Sequence, residues 1–243
     1  MPHLLMALAA LSLTACDKPG DAAFGQKVRA YLLENPEVLE EVATKLQEKR
    51  QVAAREASTE ALRKYRAQLE RDPRDLVINP QGKVTVVEFY DYRCGYCKTA
   101  APEIVKLIQE NPDVRFVFKE MPIFGSVSDT AAKVALTPAG KQKGLELYSR
   151  WMAERALDEA GIDRHLRALG LDPAQVRKAA ADPAIERHIA DVRQLASALQ
   201  IEGTPAFVVG ETLIPGADLN ALRAAITVAK AGDLKRPPAQ TES

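Results

Sequence analysis

The sequence predicts an α/β domain that carries a helical insertion and follows a long helical segment. Three observations point there. Residues 84–90 form a run of β-branched and aromatic side chains, the mark of a buried strand, and a helical pattern runs on from Cys94 and Cys97 to a stop at Asn111-Pro112. A second strand is expected over 114–119. Further on, 206–209 and 212–214 flank Gly210-Glu211 as the two arms of a hairpin, and an amphipathic helix over 218–231, closed by Gly232, completes the pattern.

Between the second strand and the hairpin, 128–199 reads as helix, punctuated at Thr137-Pro138, Asp172-Pro173 and Asp182-Pro183. Ahead of the first strand, 72–82 holds Asp72-Pro73 and Asn79-Pro80-Gln81-Gly82 and reads as linker. Residues 21–71 read as helix. Phe24, Val28, Tyr31 and Leu32 recur at helical spacing, then Asn35-Pro36 reads as an N-cap and first-turn proline that restart the chain in a new direction. Leu39, Val42 and Leu46 keep the spacing of a coiled-coil seam. Such a stretch of roughly 35 residues makes a rod of about 50 Å. It cannot bury its stripe alone, so it packs on the following domain or on copies of itself. The expectation is a homo-oligomer, dimer or trimer, through 21–71, with a solvated spacer as the alternative.

The 243 residues, 47% of them hydrophobic, suffice for one sizeable core and an accessory segment. Lys plus Arg and Asp plus Glu both total 33, so no excess of cations exists to neutralise phosphates, and no nucleic-acid partner is expected. Three cysteines are too few and too unevenly placed for a structural disulfide framework. Residues 4–13 are apolar but too short for a bilayer span, which needs roughly 20 residues. They suit the core of a secretory signal, and Leu13-Thr14-Ala15-Cys16 places small residues before a cleavage point. This tetrapeptide resembles a bacterial lipobox, which implies lipidation of Cys16, with Asp17 resembling an inner-membrane retention signal; an ordinary signal with an incidental cysteine is the alternative. The stretch before the apolar run holds His3 but no Lys or Arg, which departs from the pattern and points to a start upstream of Met1.

Cys94-Gly95-Tyr96-Cys97 is the chemical centre of the chain. A zinc site would need a second cysteine pair or suitably placed histidines. Beyond the leader only His165 and His188 remain, both expected at the surface of helices, so no metal is assigned. A strand, then two cysteines, then a helix is the setting of a redox pair. Cys94 at the helix N-terminus is stabilised as a thiolate by free N–H groups and the macrodipole. It is expected to be the exposed nucleophile, with Cys97 one turn in as the resolving thiol. Arg93 and Lys98 flank the pair, as added positive charge or as ordinary solvated cations. Glu88, within an apolar strand, titrates high if buried unpaired.

The order of elements resembles the thioredoxin fold with an inserted helical subdomain, as in the DsbA family. The resemblance rests on Glu88-Phe89-Tyr90, Cys94-Gly95-Tyr96-Cys97, the spacing to the insertion, and Gly203-Thr204-Pro205. It implies that Gly95 and Tyr96 tune the redox poise and that Glu88 is the buried acid serving the resolving cysteine. It also implies that Thr204-Pro205 is a cis-proline loop facing the cysteines, whose Thr204 backbone pairs with an extended client and whose hydroxyl touches the pair. The segment from Phe24 to Glu37 is similar to the N-terminal domain of suppressor-of-copper-sensitivity C (ScsC) proteins, some of which trimerise. The expected domains are a signal at 1–15, a helical oligomerisation or stalk segment at 16–75, a DsbA-like domain at 76–232 with its insertion at about 128–200, and a disordered tail at 233–243. The expected activity is thiol–disulfide exchange on unfolded or misfolded secreted proteins in the periplasm, as isomerase or reductase, with a membrane redox partner. No cofactor is needed beyond the Cys94–Cys97 disulfide itself. A monomeric dithiol oxidase and a Cu(I)-handling protein are the alternatives.

Overall fold

The computed structural model describes residues 19–234. Cys16 and the tail from 235 onward lie outside the described residues. The chain divides after Ala54 into two compact units.

The first unit holds helix α1 (Pro19–Glu34) and the start of α2 (Glu37–Lys64). The break falls at Asn35-Pro36, as the sequence suggests, but Asn35 acts on the other side of it. Its side-chain amide donates to the Tyr31 carbonyl at 2.9 Å, closing α1 rather than capping α2. Phe24, Tyr31, Leu33, Leu39 and Val42 are all more than half exposed, so within this unit the apolar stripe has no cover.

The second unit is built on a five-stranded mixed sheet in the order β1 (Leu76–Ile78), β3 (Val114–Glu120), β2 (Val84–Tyr90), β4 (Ala206–Val209), β5 (Thr212–Pro215). β2 and β3 pair in parallel, and the other three pairings are antiparallel. The linker expectation for 72–82 is corrected here. Leu76-Val77-Ile78 pairs with Phe118-Val117-Phe116, a strand too short to show any period in the sequence. β2 and β3 are buried along their whole length, which requires cover on both faces.

Alternation along the strands sorts the two faces. Val84, Val86 and Tyr90 of β2, with Val114, Phe116 and Phe118 of β3, meet α4 (Gly95–Glu110), α7 (Gly144–Ala153) and α11 (Leu219–Leu234) through residues such as Ile104, Tyr148 and Leu222. Val87, Phe89 and Val117 point the other way, onto Leu62 of α2, Leu69 of α3 (Arg66–Glu70) and Val192 and Leu195 of α10 (Pro183–Ala198).

Between β3 and β4 lie α5 (Ser126–Ala135), α6 (Pro138–Gln142), α7, α8 (Glu159–Ala168), α9 (Pro173–Ala180) and α10. The three proline boundaries work as expected: Thr137, Asp172 and Asp182 each accept a first-turn N–H ahead of a proline. Asp158 caps α8 in the same way without a following proline, so that break escaped the sequence. Gly232 lies inside α11 and does not close it. His188 is also corrected. It is 2% exposed, with Nε2 at 3.0 Å from Asp75 and Nδ1 at 3.8 Å from Asp72. A charged neighbourhood drew it inward, and that neighbourhood is assembled only by the fold.

Candidate active site

The parallel strand β2 delivers its C-terminal end to the start of α4. Cys94 is the N-cap of that helix, with φ −69° and ψ 122°, and its Sγ accepts the Cys97 N–H at 3.5 Å. Its own carbonyl takes the first helical N–H, from Lys98, at 3.0 Å. Both cysteines are free thiols. Cys97 is wholly buried and Tyr96 is 73% exposed, but Cys94 is only 3% exposed. The expectation of an exposed Cys94 is therefore corrected. The loop carrying the cis Thr204-Pro205 bond lies over it, and the Cys94 thiol donates to the Thr204 carbonyl at 3.1 Å. The Thr204 hydroxyl, expected at the pair, is buried with no hydrogen bond of ordinary geometry, yet the Thr204 side chain helps to lower the Cys94 thiol. Pro205 is buried, and Gly95 has open space where a Cβ would stand. A groove of about 260 Å³ runs beside this loop, lined by Glu202, Thr204, Pro205, Leu213 and Pro215 among others.

The two thiols are driven in opposite directions. Cys94 is lowered to about 5, chiefly by its hydrogen bond with Cys97, against the opposing effect of burial and with help from the N–H groups of Cys97 and Tyr96. Cys97 is pushed far up, first by burial, then by Cys94 and by Glu88. Glu88 is 2% exposed beneath the pair and is raised to about 8 by burial, although the Tyr148 hydroxyl donates to both its oxygens at 3.1 and 3.2 Å. Arg93 and Lys98 are not free flanking charges. The Arg93 guanidinium donates to the Phe124 carbonyl at 2.9 Å, and Lys98 Nζ donates to the carbonyls of Trp151 and Glu154 at the end of α7.

Three site residues were missed in the sequence. Tyr148 comes from the insertion, 60 positions from the acid it meets, and no local signal connects them. Asp91 is buried and gathers the N–H groups of Arg93, Ile123 and Phe124 and the Ser128 hydroxyl at 2.6 to 3.1 Å, which ties the turn before Cys94 to the loop after β3. Glu120 ends β3, one residue past the expected boundary at Lys119. Period-two alternation from Val114 through Phe116 and Phe118 places it on the same face as Glu88. Among the described residues, no group of three or more His, Cys, Asp or Glu side chains is placed to hold a metal ion.

A family model for the DSBA-like thioredoxin domain matches residues 85–226, from β2 through the insertion and hairpin into α11. The chain belongs to that family. A second model, the copper resistance protein ScsC N-terminal domain, matches residues 21–53 of this DSBA-like chain, the stretch that forms most of the first unit. Among solved structures, BcfH of Salmonella enterica Typhimurium has 33% identity and a TM-score of 0.73, covering 87% of this chain and 96% of that one. ScsC of Proteus mirabilis in a transitional conformation has 29% identity and a TM-score of 0.65, covering 87% and 99%. The Na(+)/H(+) antiporter NhaA 1 of Salinispora arenicola is 31% identical over 172 residues, or 68% of this chain, but the chain spans only 26% of that relative.

Proposed function

We propose that this DSBA-like chain exchanges disulfides with unfolded or misfolded secreted proteins as an isomerase or reductase, using Cys94 as nucleophile and Cys97 as resolving thiol. The observation that carries disulfide exchange, in either direction, is the opposed tuning of two thiols one helical turn apart, one drawn down to about 5 and one pushed up by burial. The Cys94 thiolate attacks a client S–S bond. A Cys94–client disulfide forms and the second client sulfur leaves as a thiolate. A client thiolate can then release Cys94, which leaves the client rearranged. Otherwise Cys97 gives its proton to the Glu88 carboxylate and attacks Cys94 Sγ, so the client leaves reduced and the Cys94–Cys97 pair is oxidised. A carboxyl near 8 suits both directions of that transfer, because it holds and yields a proton close to neutral pH. The redox group is the cysteine pair itself, with no further cofactor. Thr204 and Pro205 are proposed to present backbone to an extended client segment beside the groove. Gly95 and Tyr96 are proposed to set the poise.

Oligomerisation through 21–71 supports the isomerase side of this reading, since several sites around one client favour repeated attack. The uncovered apolar residues of the first unit and the match to an ScsC N-terminal domain support it. Periplasmic location with a lipid anchor at Cys16 belongs to the same proposal, as does a membrane partner that resets the pair; disulfide chemistry persists in that compartment. Equilibrium sedimentation combined with reactivation of scrambled ribonuclease tests the reading. An oligomer that restores activity is expected, and a monomer without isomerase activity contradicts it. A second reading, a dithiol oxidase, draws on the low value at Cys94, because a stabilised thiolate makes the disulfide more oxidising. Faster refolding of a reduced client by the oxidised protein than reactivation of a scrambled one would select it.

A further inference from the structure

Glu120 has no part in the exchange described above, yet it is 2% exposed on the face of the sheet that carries Glu88 and packs against the helices holding Tyr148 and Cys97. Its surroundings are specific. Tyr90 and Tyr92 both contact Oε1, Tyr92 at 3.0 Å, and their two hydroxyl oxygens are 2.9 Å from each other. Oε2 is buried with no hydrogen-bond partner. The groups that act on Glu120 are Glu88 and Tyr90 of β2 and Asp91 and Tyr92 of the turn that follows, with Tyr148 of α7 and Cys97 of α4 completing the layer. Among the described residues no Lys, Arg or His forms an ion pair with it, and its strand neighbour Lys119 turns to the opposite face to meet Asp75.

Counting protons decides the form this group takes. Three oxygens make three mutual contacts, and each contact needs one proton between its partners. The two tyrosines bring two. If both point at Oε1, the Tyr90–Tyr92 contact is left as two lone pairs facing each other. A proton on Oε1 supplies the third and closes the ring, with Glu120 donating to one tyrosine, that tyrosine to the other, and the second back to Oε1. The bare Oε2 agrees, since an ionised carboxylate buried with one oxygen unpartnered carries a large desolvation penalty. Burial and the nearby carboxylates Asp91 and Glu88 also raise its titration, to about 8.

We propose that Glu120 is a second carboxylic acid of the site, held neutral in a closed ring with Tyr90 and Tyr92, and that its proton sets the charge beneath the Cys94–Cys97 pair. It is a positioning residue and touches no reacting sulfur. The inference rests on the proposed exchange at that pair. While the ring keeps its proton, the reduced site carries the Cys94 thiolate over a neutral ring, and Asp91, satisfied by its own donors, is the standing charge of the layer. When Glu120 loses its proton, the added negative charge disfavours that thiolate and moves the pair toward the disulfide.

Two measurements test this. The first is the equilibrium constant of the Cys94–Cys97 pair with glutathione, for the full chain and for Glu120→Gln, whose side chain is neutral at every pH. Between about pH 6.5 and about pH 9.5 the ratio of the two constants should change on the order of tenfold, with the unsubstituted chain shifting toward its disulfide at high pH. A ratio that stays constant across this range overturns the proposal. The second is infrared titration of Glu88→Gln carrying 13C-labelled glutamate, which reads a glutamic acid still protonated at neutral pH whether or not the thiols exchange, with Glu120→Gln in the same background assigning the band. A protonated-carboxyl band that persists at neutral pH and is lost in the alkaline range is expected, because burial, the largest cause of the raised titration, remains without Glu88, and its absence at neutral pH overturns the proposal. A pair that never equilibrates with glutathione counts instead against the exchange reading, leaving the infrared result to decide Glu120.

Discussion

At the scale of single residues, the site runs on the difference between a thiol that meets N–H groups at a helix start and one buried a turn later. Glu88 belongs to the same economy of charge. Its proton is held up to about 8 in the folded chain, against an ordinary glutamate near 4.3 in the unfolded one. Over that interval the folded state binds more protons, so stability falls as pH rises from about 4.3 and the full penalty is present above about 8. Glu88→Gln removes the titration. It should leave stability little changed near pH 4 and raise it by on the order of several kcal/mol near pH 8, as measured by urea denaturation at both values. Equal stabilisation at both would mean that the gain comes from packing and not from the proton. The cysteines and Glu88 were legible in the sequence because motif and strand are contiguous there. The cis Thr204-Pro205 loop facing the pair was legible only through the family resemblance, and it stands where that implied. The Tyr148 contact and the depth at which Cys94 is buried were not legible, since they depend on residues brought in from 60 to 110 positions away.

At the scale of elements, the reverse face of the sheet is closed by charge as well as by apolar packing. Lys119 on β3 is 1% exposed, and its Nζ sits 2.5 Å from Asp75, which precedes β1 and whose side chain is wholly buried. The same ammonium donates to the Gln68 carbonyl of α3, and His188 of α10 stands against the other Asp75 oxygen. Lys119→Met leaves Asp75 buried without its cation and should cost about 3–5 kcal/mol, read by chemical denaturation. The double variant Lys119→Met, Asp75→Asn should recover part of that loss, and an additive double would show that the two side chains do not act as a pair. This arrangement explains two failures of sequence reading. β1 was hidden by its length, and His188 lay on a helix whose buried side was invisible until Asp72 and Asp75 had been placed beneath it. The elements with strong local chemistry were read well: β2 and β4 keep their expected bounds, and the three Pro-started helices begin at their expected prolines.

At the scale of the molecule, the proposed reading gives oligomerisation to the first unit and exchange to the second, and the two should separate by mutation. Leu39 and Val42 are 55% and 56% exposed in the first unit, and a pair of lysines there places charge on the apolar stripe. Leu39→Lys with Val42→Lys should lower the mass found by equilibrium sedimentation, while the rate of exchange with a small disulfide stays within about twofold, because the sequence of the unit that holds Cys94 is unchanged. Loss of both together would contradict the division of labour. The central claim rests on Cys94 alone, and it is tested most directly by the pH dependence of alkylation of the reduced full chain. One thiol should react rapidly, with a rate that rises to a plateau through a midpoint near 5, and this phase should vanish in Cys94→Ser. A midpoint near the ordinary thiol value of about 8.5, or two cysteines that react alike, would contradict it.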